Sequence, residues 1–161
     1  MPGTHVTSDF LTEETSNMYD MACPAYREVK NRLSEMGLKT HRQNLANYAD
    51  KGYEILKLVL PALKDRALAP GSNVNVDETW ERFQTHFGHR KTYMWCLVNR
   101  KGSLFFGSVQ GALRSAMYNT FIQTCKQVGV SFRQYFKALL KAVKSGRTDY
   151  ENLLPMTICL D

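Results

Sequence analysis

Val74-Asn75-Val76-Asp77-Glu78-Thr79-Trp80, read with its partner run Tyr93 to Asn99, is the stretch on which the fold of this chain turns. Val74, Val76 and the apolar residues after Thr92 predict two short β-strands, over 74–83 and 92–98. A turn rich in His and Gly, Thr85 to Lys91, joins them. Asp77 follows β-branched residues, so its carboxylate is expected on a strand, where the backbone fixes its direction. Acids placed in that way hold metal ions in phosphoryl-transfer enzymes. A solvated residue at a strand end fits the same spacing, and both readings stand at this point. A hairpin alone is marginal in water and needs helices against one face.

Working outward, helical spacing dominates both flanks. Residues 1–16 carry turn formers and no period, which predicts a flexible arm. Over 17–70 the pattern is helix, short glycine turn, helix. Met18, Met21, Ala22, Ala25, Tyr26, Val29, Leu33 and Met36 recur at helical spacing, with the firm helix starting at Pro24 and stopping at Gly37. Thr40 is the expected cap of the second helix. Leu45, Tyr48, Ala49, Gly52, Ile55, Leu56, Val59 and Leu63 form its apolar stripe, with Pro61 suggesting a kink or break near Val59. That outline suits a helix-turn-helix, with Lys39, His41, Arg42, Gln43 and Asn44 where base or phosphate contacts are made; ordinary helical packing gives the same pattern.

Beyond the hairpin segment, 71–101, the C-terminal part 102–161 is again helical. Leu113, Met117, Phe121, Thr124 and Val128 line one predicted helix, ending at Gly129. Ser131 opens the next, with Phe132, Phe136, Leu140 and Val143 on its core face. Arg133, Lys137, Lys141 and Lys144 follow the same spacing one residue on, a basic stripe suited to a phosphate backbone. The predicted class is therefore α+β, mostly helical, with one β-hairpin between an N-terminal helical pair and C-terminal helices.

The charge is segregated. Between Arg82 and Thr148 there are twelve Lys and Arg and no Asp or Glu, whereas the remainder holds nine basic residues against fifteen acidic ones, a net of −6 within a total of +6. Such a surplus points to a polyanion, nucleic acid first; a basic surface kept for solubility is the other reading. At 161 residues and 43% hydrophobic the chain can bury one core. No apolar run approaches the ~20 residues that span a bilayer. The polar N-terminus and four dispersed cysteines, Cys23, Cys96, Cys125 and Cys159, predict a cytoplasmic chain without zinc or disulfides.

Two stretches carry a resemblance. PAYREVKNRLSEMGLKTHRQNLANYADKG, NVDETWERF and KTYMWCLVNRK, within about Tyr26 to Asn99, and Lys101 to Ile158 with its GRTDYENLLP motif, resemble the IS66 family of insertion-sequence transposases. The resemblance implies a ribonuclease H-like core in which an acidic triad of the DDE kind holds two magnesium ions (Mg2+) for DNA cleavage and strand transfer. It puts the first acid at Asp77 and makes the hairpin a remnant of that core. Here the two stretches are fused at Asn99-Arg100-Lys101, where the family has a long segment carrying the second Asp and the Glu, and no carboxylate stands between Glu81 and Asp149. Asp149 and Glu151 match the tail motif. The resemblance therefore implies a shortened transposase without productive magnesium binding or catalysis. Its expected DNA contacts are Lys39, Arg42, Arg100, Lys101, Arg133, Lys137, Lys141 and Lys144. Its expected partners are element-end DNA of low specificity and, in the alternative reading, a second copy or a full-length transposase that it inhibits.

Overall fold

The computed structural model describes residues 6–70, 77–85, 88–96 and 109–160, the two strands by backbone alone. Most of it is helix: α1 (Ser8–Tyr19), α2 (Ala25–Glu28) running into a π-helical turn (Val29–Leu33), α3 (Arg42–Ala67), α4 (Val109–Gln127), α5 (Phe132–Lys144) and a 3-10 turn (Tyr150–Leu153). Between α3 and α4 lie β1 (Asp77–Thr85) and β2 (Gly88–Cys96), antiparallel, with Asp77 opposite Cys96 and Thr85 opposite Gly88. The strands thus differ in extent from those the sequence predicts. β1 runs on to Thr85 and β2 begins at Gly88, so together they take in most of the run 85–91 that reads as a turn, while Val74 to Val76 lie outside the described residues. Among the described residues the sheet has two strands, which by itself is not a ribonuclease H-like sheet.

Residues 1–16 are not simply an arm. From Ser8 onward they are helix, and Thr7 caps it, its Oγ1 accepting from the Phe10 N–H at 3.2 Å. The physical reason is packing rather than propensity: α1 lies against α5, α3 and α4 and buries Leu11, Thr12, Glu14, Thr15 and Ser16. A face made of one leucine and short polar residues has no apolar period to read.

The N-terminal helices do not stand apart from the C-terminal ones. Leu11 of α1, Ala49, Leu56, Val59 and Leu63 of α3, Tyr118 and Phe121 of α4, and Phe132, Phe136 and Leu140 of α5 share one core. Tyr118 is central. Its ring stacks on Tyr19 with centroids 4.2 Å apart, and its hydroxyl donates to the Ala49 carbonyl at 2.9 Å. At that crossing α3 presents Gly52, and a side chain there would overlap the Tyr118 hydroxyl. Burial pushes the Tyr118 phenol well above its ordinary range.

The apolar stripe of α3 lies inward as its spacing predicts, and the helix continues through Pro61 without the expected break. Its N-cap is His41, with no side-chain cap bond; the Thr40 hydroxyl instead accepts from Asn44 Nδ2 at 3.1 Å. On α4 the predicted face holds at its centre, where Met117 and Phe121 are buried, but the buried face is wider and shifted. Tyr118, Ile122 and Cys125 are buried, while Leu113 and Val128 are exposed. α4 is apolar around most of its circumference, so spacing alone could not choose its inner face. The same holds before Gly37, where Leu33 is buried but Met21, Tyr26 and Met36 are exposed. Gly129, at φ +73°, closes α4 in the left-handed conformation that lets the Val130 N–H reach the Cys125 carbonyl at 2.9 Å.

The C-terminal turn is tied to α5 by Tyr135, whose buried hydroxyl donates to the Leu153 carbonyl at 3.1 Å. Tyr135→Phe keeps the ring and orphans that carbonyl. A loss of about 1 kcal/mol in urea unfolding is expected, and a loss indistinguishable from zero would mean that water replaces the bond.

Candidate nucleic-acid interface

The turn into α3 presents Lys39, His41, Arg42, Gln43 and Asn44, all exposed. Gln43 donates to Asn47 at 3.1 Å along the helix. Lys39 and Arg42 have no ion-pair partner among the described residues. A helix start without a side-chain cap, flanked by two exposed cations, is an electropositive end suited to phosphate. The neighbouring acids of this region are held elsewhere: Asp50 bonds Arg114 Nη1 at 2.7 Å, and the same nitrogen donates to the Ala46 carbonyl at 3.1 Å.

The basic stripe of α5 is exposed at Arg133, Lys137, Lys141 and Lys144, as its spacing predicts. It is not open. Lys137 pairs with Asp9 at 2.7 Å and Arg133 with Glu13 at 3.0 Å, and Arg133 also donates to Asn17 at 3.2 Å. On α4, Lys126 pairs with Asp20 at 2.9 Å, just past the end of α1. Asp9 and Glu13 of α1, and Asp20 just past its end, are thus matched to basic residues of the C-terminal helices. Sequence reasoning missed this, although a first 26 residues holding four acids and no Lys or Arg is a visible complement to the basic half. Arg100 and Lys101 lie outside the described residues.

A second charged cluster is buried. Arg32 bridges Glu14 of α1 and Glu28 of α2, whose side chains are 0% and 5% exposed. Asn17 Nδ2 and Cys23 Sγ also donate to Glu28, at 2.8 and 3.4 Å. Burial holds the Glu14 carboxyl above its ordinary range despite Arg32. Burial pushes Glu28 the same way, but the hydrogen bonds from Arg32, Asn17 and Cys23 outweigh it and the net shift is downward. This cluster clamps α1 to α2 and is structural.

Asp77 opens β1; its backbone position is described and its side chain is not. Among the described residues no group of three His, Cys, Asp or Glu could hold a metal ion. Asp149 is already engaged, since Arg147 donates to both its oxygens and holds its carboxyl down at about 2. The described donors do not fit a pair of magnesium ions, which prefer several carboxylate oxygens each. His89 lies within β2, opposite Gln84, and His86 falls outside the described residues. Cys125 is buried, its thiol pushed up to about 12 by burial, and Cys23, Cys125 and Cys159 are free thiols. No helix among the described residues is long and apolar enough to cross a membrane.

A family model described as "Transposase IS66 family" matches residues 3–118. That span takes in α1, α2, α3, both strands and the first half of α4, and it reaches further toward the N-terminus than the resemblance read from Tyr26. The α5 stripe and the GRTDYENLLP motif lie beyond it. No curated protein and no solved structure matches.

Proposed function

We propose, from the premise that this chain belongs to the IS66 family of transposases, that it binds DNA through the start of α3 as a shortened member without strand-transfer activity of its own. The observation that carries the reading is the pair of exposed cations Lys39 and Arg42, without an ion-pair partner among the described residues, at a helix start without a side-chain cap. Arg100, Lys101 and the α5 stripe belong to the same basic half and extend the proposed contact. Asp77 is the proposed counterpart of the family's first acid, and β1 with β2 the proposed remnant of its ribonuclease H-like core. The family's magnesium chemistry needs further carboxylates, and the sequence offers none between Glu81 and Asp149. The proposed partner is element-end DNA, read through phosphates rather than base edges, so low sequence preference is expected.

The test is a fluorescence-anisotropy titration of duplex DNA over a range of salt. Binding should weaken linearly in log–log form as salt rises. Lys39→Ala with Arg42→Ala should lower affinity about tenfold and flatten the slope by about two, one for each lost phosphate contact. Unchanged affinity and slope in that double variant would remove the α3 start from the interface.

A further inference from the structure

We propose that α1 is a built-in competitor for DNA, an acidic strap that occupies the phosphate positions of the α5 stripe; the inference rests on the DNA-binding reading above. Asp9 and Glu13 are one helical turn apart, and so are Lys137 and Arg133. The pairs Asp9–Lys137 and Glu13–Arg133 therefore form a ladder between two antiparallel helices. Their carboxylates sit 2.7 and 3.0 Å from the basic nitrogens, the distance at which a phosphate oxygen would sit. Asn17 fills a further site on Arg133, and Asp20 takes Lys126 beyond the end of α1.

α1 is held in this place independently of the ladder. Leu11 is buried in the core, and Glu14, on a different face of the helix from Asp9 and Glu13, is locked to Arg32. The strap therefore stays while its exposed carboxylates exchange with phosphates, and it repels the DNA backbone whenever they do not. Exposed pairs of this kind are weak, so the exchange is shallow and tunable.

The test neutralises the strap without moving it. Asp9→Asn with Glu13→Gln changes two exposed side chains, and the variant should keep its circular dichroism spectrum and melt. Its affinity for duplex DNA should rise about three- to tenfold, and its salt slope should steepen by about two as Arg133 and Lys137 take phosphates. Glu54→Gln with Asp65→Asn, on exposed positions of α3, removes the same charge away from the stripe and should change affinity far less. Binding by the strap variant where the unaltered chain binds nothing would support the proposal. An equal rise in both double variants would overturn it, because net charge alone would then explain the gain. Binding by none of the three folded proteins at the lowest salt would overturn the DNA-binding reading and this inference with it.

Discussion

Arg32→Met is expected to destabilise the chain by about 3–5 kcal/mol at neutral pH, because it leaves two buried carboxylates without a counter-charge. Glu14 is fully buried and already has one oxygen without a hydrogen-bond partner; Glu28 is nearly so. Methionine keeps the length of the arginine stem and removes the charge. The pH dependence separates this cause from lost packing. In the unaltered chain the two carboxyls work in opposite senses. Glu14, raised when folded, contributes stability at acid pH that is lost as pH climbs through its folded pKa. Glu28, lowered when folded, contributes stability above its unfolded pKa that is lost as pH falls. Without Arg32 both are raised, so both oppose folding at neutral pH and the penalty disappears as they protonate. Urea melts of both proteins should show the largest gap near neutrality and a narrowing toward the unfolded carboxylate range, about pH 4. A gap that stays constant across that range would assign the loss to packing.

Gly52→Ala is the second large effect. Alanine is ordinarily the better helix residue by about 1 kcal/mol, so an exposed glycine on α3 would gain by the change. Here a Cβ overlaps the Tyr118 hydroxyl and stands 2.9 Å from Phe136 Cζ. Tyr118 cannot retreat easily, being fully buried, stacked on Tyr19 and bonded to Ala49. Overpacking and the lost hydrogen bond together should outweigh the helix gain by about 2–4 kcal/mol. For a chain of this size that lowers the melting temperature by about 5–15 °C. Adding Tyr118→Phe removes the atom in conflict and should recover more than half of the loss, a coupling that a double-mutant cycle reads directly. A single variant as stable as the parent would mean that α3 and α4 can slide apart at no cost.

What was legible in the sequence follows from how strongly each element is patterned. α3 shows its stripe plainly because one face is apolar and the other charged, so Leu45, Ala49, Leu56, Val59 and Leu63 are placed correctly from spacing. α5 gives its basic residues and most of its core in the same way, though Tyr135 and Leu139 widen the buried face beyond the predicted line. α1 was hidden because what it buries is largely polar, and its hold on the body comes from Arg32, eighteen residues further along the chain than Glu14. Lys39 and Arg42 could be named from the chain, but the occupation of Arg133 and Lys137 by α1 could not. That pairing joins residues more than a hundred positions apart, which no local pattern reports. Asp77 was singled out from its β-branched neighbours and its motif, and its role stays with the family reading.

The clasp between α3 and α4 has a consequence for evolution of the chain. Arg114 with Asp50, and Tyr118 with Ala49 and Gly52, join the two helices directly. Whatever is threaded between Ala67 and Val109 is therefore, energetically, a closed loop on a body that holds itself together. Doubling such a loop costs only about 0.6 kcal/mol in closure entropy. A change of length at that point therefore carries little penalty for the helices on either side of it.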